Sequence, residues 1–198
     1  MPVLQLPVRY YRDYAPHYDY AYETLSLPLA RTAFLLVDVD GAYYDKITQK
    51  TIVPALQAAR AVRMPVAFVH NDLRLVADEG NIVFEIWGKT KAIKGPSVWK
   101  DYRGPEYVEN VRPLPDEPNF PKWVWSGFHD TFLDQHLRAL DIKTLICVGY
   151  SVRACFYGTI IDAVYRNYRV IALRDCVAAP EFPDTVDASL PEGGWINR

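Results

Sequence analysis

The sequence predicts an α/β fold in which helices cover both faces of a mainly parallel sheet. Apolar runs long enough for buried strands alternate with segments of helical periodicity, and the runs are continuous instead of alternating with polar residues. Continuous apolar runs are typical of parallel strands, which helices bury on both faces. The chain has 198 residues, 50% of them hydrophobic, which suits one domain with a substantial core.

The predicted elements follow one another in strand–helix order after residue 31. Each predicted helix has apolar residues on one face, as at Leu133, Leu137 and Leu140. A stretch at 71–120 interrupts this order, because glycine and proline residues punctuate it and mark loops. The predicted strands lie at 32–40, 65–70, 143–150 and 169–176, and the predicted helices at 47–63, 131–142 and 155–168.

The chain divides into an N-terminal arm at 1–30 and a single domain at 31–198. The arm is rich in tyrosine and proline, shows no regular periodicity, and holds five tyrosines between Tyr10 and Tyr20. Tyrosine rings carry large apolar surfaces whose burial is favourable. We therefore expect an extended arm that packs its rings on the domain or on a neighbouring subunit.

The charge balance and the apolar pattern exclude several classes of partner. With 22 basic and 24 acidic residues, the net charge of −2 gives no long-range field that would hold nucleic acid or an anionic membrane. No apolar stretch reaches the roughly 18 residues of a transmembrane helix, and the N-terminus lacks a secretion signal. We expect a cytoplasmic protein whose partner is a small molecule.

Cys155 is the candidate nucleophile among three cysteines that are too few for a disulfide framework or a zinc site. It opens a predicted helix directly after a strand, where the helix dipole is expected to lower the thiol pKa. The helix start also leaves backbone N–H groups unpaired, and these can bind the oxyanion formed on an attacked carbonyl. Cys147 and Cys176 lie within and at the end of strands, and we interpret them as core residues.

The strand that ends LLVDVDG raises the alternative of a phosphatase. Asp38 and Asp40 match the D-x-D spacing of haloacid-dehalogenase-type phosphatases, in which one carboxylate attacks phosphorus and the other acts as acid and base. That chemistry also requires Mg²⁺, and hence a later pair of carboxylates at a strand end. The later strands end VGYS and LRDC, which present no such pair, so the sequence disfavours phosphoryl transfer.

Asp38 and Lys122 are the candidate partners of Cys155. A thiol that attacks an amide needs a proton acceptor and a group that protonates the leaving amine. Asp38 follows the first strand of the domain and would lie beside Cys155 if their strands are neighbours. Lys122 precedes the helix that leads into the strand at 143–150, so its ammonium can reach the same edge of the sheet.

Three segments together resemble the isochorismatase-like cysteine hydrolases: LLVDVD, KWVWSGFHDTFLDQHLR and GYSVRACFYGTIIDA. The resemblance covers about residues 32–180. It implies the isochorismatase-like hydrolase fold, a Rossmann-like three-layer αβα arrangement, with a catalytic triad of Asp38, Lys122 and Cys155. The SGF-x-x-T stretch and the later PEF are most similar to ureidoacrylate amidohydrolases and their biuret-cleaving and N-carbamoyl relatives.

The resemblance also implies how the site works. A cis peptide bond precedes Ser151, and the N–H groups of Ser151 and Cys155 form the oxyanion hole. The implied activity is hydrolysis of a small ureido, carbamoyl or amide compound through a thioester, without metal or cofactor, in a homodimer or homotetramer. The candidate substrate-binding residues are Tyr44, Asn71, Trp123, Trp125, Phe128, Tyr150 and Arg153.

Several residues depart from the family pattern. Asp40 stands where these enzymes usually carry glutamine, and the turn at 150–153 is bulkier and more charged than usual. Arg153 either binds a substrate carboxylate or pairs with an acidic side chain. His70 is interpreted as a pocket or structural residue, because HNDLRLV lacks the Asp-x-His motif of metal-binding relatives. Little chain follows the strand at 169–176 for the last helix and strand common in the family.

Two other functions stay open at this point. Isochorismatases proper cleave a vinyl ether without using the thiol, so activity that survives replacement of Cys155 would indicate that reaction. A catalytically inactive binding or scaffold subunit would instead use the tyrosine-rich arm and the aromatic loops as an interface. The three triad residues argue against an inactive subunit.

Overall fold

The computed structural model of the chain describes residues 2–41, 45–72 and 104–178. Within these ranges a π-helical turn at Thr48–Ile52 joins α1 to α2, and short 3-10 turns lie at Leu29–Arg31 and Glu109–Val111. None of the helices described is long and apolar enough to cross a membrane. The strands are β1 (Val3–Tyr14), β2 (His17–Pro28), β3 (Thr32–Val37), β4 (Val66–Asn71), β5 (Asn119–Lys122), β6 (Thr144–Tyr150) and β7 (Arg169–Ala178), and the α-helices are α1 (Asp45–Ile47), α2 (Val53–Ala61), α3 (Leu133–Ala139) and α4 (Cys155–Tyr165).

Five strands form one parallel sheet in the order β5-β4-β3-β6-β7. β3 lies at its centre, and all six residues of β3 are buried. One core cluster packs α3 and α4 on one face of the sheet, and a second packs α2 and the β1–β2 hairpin on the other. The fold class predicted from the continuous apolar runs is therefore confirmed.

The segment before the sheet folds as a β-hairpin. β1 and β2 pair antiparallel along their whole lengths, with a cis Ala15–Pro16 bond in the turn between them. Apolar residues at alternate positions of one hairpin face, Leu4, Leu6 and Val8 in β1, pack against the core. The sequence analysis expected an extended arm without regular structure. It missed the short alternation of apolar residues in β1, because the tyrosines that follow obscure this pattern. Packing of the hairpin on a neighbouring subunit stays a prediction.

The predicted helix at 47–63 is observed in two parts. Pro54 lies in the first turn of α2, where its missing N–H is tolerated, and the residues before it form the π-helical turn. Thr48 in this turn is fully buried, and its hydroxyl lies 2.6 Å from the hydroxyl of Tyr150. The turn therefore ties this helical layer to the end of β6.

The sequence analysis did not predict strand β5. This strand contains Pro121, and a proline cannot donate to the hydrogen-bond ladder, which argues against a central strand. β5 lies at the edge of the sheet formed by the described residues, and an edge strand has one side where the missing donor is tolerated. Its pairing with β4 places Lys122 opposite Asn71.

Gly149 lets the end of β6 approach β3 closely. It has φ = +124°, and an added Cβ would lie 2.0 Å from the carbonyl oxygen of Val37. Glycine alone combines this backbone conformation with the absence of a side chain. Gly149 therefore fixes the path of the chain from β6 towards Cys155.

Replacing Gly149 with Ala is expected to destabilise the protein by at least about 3 kcal/mol, because the new Cβ meets backbone in a left-handed conformation. Gly104→Ala is the matched control, since Gly104 has φ = +99° but no atom within 4 Å of an added Cβ. The control should cost about 1 kcal/mol from its backbone conformation alone. Urea unfolding measures both, and equal losses would contradict the steric argument.

Candidate active site

The site lies where β3, β4, β5 and β6 end at the same edge of the sheet. Asp38 follows β3 in a left-handed conformation, φ = +53°, which is uncommon for a residue other than glycine. Its N–H donates to the carbonyl oxygen of Val69 in β4 (2.9 Å). β3 pairs with β6 on its other side, so the Asp38 turn lies next to the turn that leads to Cys155.

The Lys122 ammonium is buried between two oxygen acceptors. Its side chain is 0% exposed, and Nζ lies 3.0 Å from Asp38 Oδ2 and 2.5 Å from Asn71 Oδ1. A buried ammonium is costly unless an opposite charge and hydrogen bonds replace its water. The Asp38 side chain, 14% exposed, supplies the opposite charge.

Cys155 is the first residue of α4 and lies beside this ion pair. No side chain caps the helix start, and no acidic residue lies in its first turn. Sγ of Cys155 lies 3.9 Å from both polar atoms of the Asn71 side chain. Asp38, Lys122 and Cys155 are far apart along the chain, and the structure brings them together.

Burial, and to a smaller extent the Asp38 carboxylate, raise the pKa of the Cys155 thiol to about 11, while the Lys122 ammonium acts in the opposite direction. The expectation of a lowered pKa at the helix start is therefore wrong, because the removal of water from the thiol and the nearby carboxylate both favour its protonated form. Oδ1 of Asp38 is buried and receives no hydrogen bond from a nitrogen or oxygen donor of the described residues. This carboxylate can therefore accept a proton from the thiol.

The turn between β6 and α4 presents backbone donors next to Cys155. The Tyr150–Ser151 peptide bond is cis, as the family resemblance implies. The carbonyl oxygen of Ser151 accepts the N–H groups of Ala154 and Phe156 at 3.0 and 3.1 Å. Within the described residues, the N–H groups of Ser151 and Cys155 donate to no backbone oxygen. Donors of this kind suit a developing oxyanion.

One face of α4 holds the lysine segment against the cysteine segment. The Gly127 N–H donates to Thr159 Oγ1 (2.9 Å), and the Ser126 hydroxyl donates to Asp162 Oδ2 (2.6 Å). Thr159 and Asp162 follow Cys155 by four and seven residues, which places all three on one helix face. The sequence analysis quoted these residues as part of a motif but gave them no role. Their spacing from Cys155 is the signal in the sequence that identifies this role.

Four of the candidate substrate-binding residues, Asn71 among them, are partly or mostly open to solvent. Trp125 is 58% exposed, and Arg153 is exposed in the turn before α4. Trp123 is partly exposed, and its ring meets the His129 ring edge-on at 5.4 Å. Tyr44 lies outside the described residues.

Two further candidates, Phe128 and Tyr150, are buried in the two core clusters. Phe128 is 3% exposed, and Tyr150 is 4% exposed with its hydroxyl on Thr48. Both side chains support the walls of the site from within the protein. Contact with a substrate stays a prediction for these residues.

His70 has a structural partner. Its Nδ1 lies 2.6 Å from Asn119 Oδ1 on the neighbouring strand, and burial lowers its pKa, which favours a neutral ring. Asp40, the departure from the usual glutamine, is partly exposed, and its carbonyl oxygen accepts the Val108 N–H (2.9 Å). No cluster of His, Cys, Asp and Glu side chains in the described ranges is arranged to hold a metal ion.

Comparison with known proteins identifies the family of this site. The model of the isochorismatase domain matches residues 32–192. The chain belongs to the isochorismatase family. This confirms the resemblance drawn from the three sequence segments, which carry Asp38, Lys122 and Cys155.

Relatives within the family include amidohydrolases. A ureidoacrylate amidohydrolase of Stutzerimonas stutzeri is 29% identical over 204 residues, which cover 88% of this chain and 82% of that protein. A cysteine hydrolase from Pseudomonas syringae pv. phaseolicola is 30% identical with a TM-score of 0.67, covering 85% of this chain and 87% of the other. An N-carbamoylsarcosine amidase from Thermoplasma acidophilum is 28% identical with a TM-score of 0.61, covering 80% and 89%.

Replacing Thr159 with Val should destabilise the protein by about 1 to 3 kcal/mol, because the buried Gly127 N–H loses its acceptor. Thr24→Val on the exposed face of the hairpin is the matched control, with an expected change within about 0.5 kcal/mol. Chemical denaturation followed by tryptophan fluorescence measures both. A Thr159→Val protein as stable as the control would show that this hydrogen bond does not hold the two segments together.

Replacing Asp38 with Asn should make the Cys155 thiol more acidic, because the substitution removes a charge that raises its pKa. The pH midpoint for alkylation of Cys155 by iodoacetamide should fall by about 1 to 2 units. Asp116→Asn, at an exposed turn, is the control and should leave the midpoint unchanged. Mass spectrometry of the Cys155 peptide gives the rates, and an unchanged or higher midpoint in Asp38→Asn would contradict the effect of the carboxylate.

Proposed function

We propose that this protein is a cysteine-dependent hydrolase that cleaves a C–N bond other than a peptide bond in a small ureido, carbamoyl or amide compound. The observation that carries the proposal is the buried Lys122–Asp38 ion pair beside Cys155, whose helix begins with N–H groups that donate to no backbone oxygen of the described residues. The relatives named as ureidoacrylate amidohydrolases and as a cysteine hydrolase support the hydrolase class.

The first half of the reaction acylates the cysteine. Because the thiol pKa is about 11, the thiol is protonated at neutral pH, and attack begins with transfer of its proton to Asp38. The sulfur forms a bond to the substrate carbonyl carbon, and the carbonyl electron pair moves onto the oxygen. The N–H groups of Ser151 and Cys155 bind the oxyanion. Collapse breaks the C–N bond, and the leaving nitrogen takes the proton from Asp38.

The second half of the reaction releases the acyl group. Asp38, again a carboxylate, accepts a proton from water as the water oxygen attacks the thioester carbon. Collapse of this second tetrahedral intermediate breaks the C–S bond, and the proton on Asp38 returns to the sulfur. Lys122 holds Asp38 in place by its 3.0 Å contact and offers positive charge to the thiolate while it forms. These steps use only protein side chains, backbone donors and water.

The substrate class follows from the relatives and from the chemistry of the site. The names of two relatives specify a ureidoacrylate and an N-carbamoyl compound, and both contain a carbonyl flanked by nitrogen. A thioester route suits such a carbonyl, because amine loss and water attack can share one base. A homo-oligomeric assembly and a cytoplasmic location remain predictions from the sequence.

Ammonia release from a panel of ureido, carbamoyl and primary amide compounds tests the proposal. Cys155→Ser and Asp38→Asn should each lower the release rate by about a thousandfold or more, because one removes the nucleophile and the other its base. Cys176→Ser changes a buried thiol outside the site and should keep the activity of the unmodified protein. Ammonia release that survives in Cys155→Ser would indicate C–N hydrolysis without the thiol, and no release from any compound would favour the two alternatives that liberate no ammonia, a vinyl ether hydrolase or a binding protein.

A further inference from the structure

Asn71 lies in the site at a position to which the steps above give no role. It is the last residue of β4 and pairs in parallel register with Lys122 of β5. Side chains opposite each other on neighbouring strands point to the same face of the sheet. The Asn71 side chain accordingly meets both Lys122 Nζ, at 2.5 Å, and Cys155 Sγ, at 3.9 Å.

The Lys122 ammonium has three N–H donors whose directions are fixed relative to one another. Two of them face Asp38 Oδ2 and Asn71 Oδ1. The Cys155 sulfur lies 3.9 Å from the same Asn71 oxygen, and the charge of Lys122 acts on the thiol, so the sulfur is the acceptor offered to the third N–H. Two acceptors hold the nitrogen in place at the end of its flexible four-carbon chain, whereas Asp38 alone leaves the nitrogen free to shift relative to the sulfur.

We propose that Asn71 is a positioning residue whose side-chain carbonyl, together with Asp38, holds the Lys122 ammonium in place, so that one N–H points at the Cys155 sulfur. It acts through Lys122, in place of the substrate-binding role that the sequence analysis gave it. For turnover this inference rests on the proposed function. Its effect on the reactivity of the thiol does not depend on the proposed function and can be measured without a substrate.

The Asn71→Leu substitution tests this role, because leucine has a similar size and no acceptor. The thiolate should lose a hydrogen bond, so alkylation of Cys155 by iodoacetamide should shift to a higher pH. Lys122→Met is the reference variant, because it removes the donor itself. Asn110→Leu is the control, since Asn110 is exposed and its side chain contacts only Gln49 among the described residues.

The double variant Asn71→Leu/Lys122→Met separates an effect through Lys122 from a direct one. If Asn71 acts through Lys122, the double variant should show the same alkylation profile as Lys122→Met alone, so the two effects do not add. Additive shifts, or an Asn71→Leu profile that equals the profile of the unmodified protein, would overturn the proposal. The alkylation profiles decide this even if no compound in the panel releases ammonia.

Steady-state kinetics give a second and independent measurement. Asn71→Leu should lower kcat by about tenfold and change KM by less than about threefold, as expected for a misplaced catalytic group. A higher KM with unchanged kcat would assign Asn71 to substrate binding and overturn the positioning role. Circular dichroism confirms that each variant is folded, and if Lys122→Met does not fold, the kcat and KM of Asn71→Leu and its own alkylation shift still decide the question.

Discussion

An ammonium group with none of its side chain exposed to water lies at the centre of the site, and its contact with the Asp38 carboxylate constrains everything around it. Removing two such charges from water costs several kcal/mol for each ion, and their mutual attraction repays this only in good geometry with further hydrogen bonds. The fold supplies that geometry by ending two strands, β3 and β5, one strand apart. Asn71, at the end of the intervening β4, supplies the further hydrogen bond.

The rest of the fold keeps the thiol next to this pair. Gly149 allows β6 to approach β3 so closely that no other side chain fits. The hydrogen bonds that Ser126 and Gly127 donate to Asp162 and Thr159 hold the segment after Lys122 against the helix that begins at Cys155. A thiol, a carboxylate and an ammonium from three distant parts of the chain therefore share one edge of the sheet, which is where ligands bind in parallel α/β folds.

The sequence predicted the central strands well because their burial on both faces leaves continuous apolar runs, as in β3 and β6. It missed β5 because Pro121 is a signal against a strand, and tolerance of proline depends on the edge position, which only the assembled sheet defines. The members of the site were found from their place at strand ends and a helix start. The sequence did not predict the direction of the Cys155 pKa shift. That direction depends on how much water the folded site removes from the thiol and on how near Asp38 comes to it.

The raised pKa of Cys155 has a consequence for the durability of the protein. Peroxides oxidise thiolates far faster than thiols, and each oxidation step beyond the sulfenic acid is effectively irreversible. Because Cys155 keeps its proton until a reaction partner arrives, its sulfur spends little time in the form that oxidants attack. Asp38 and the burial of the sulfur thus protect Cys155 from oxidation.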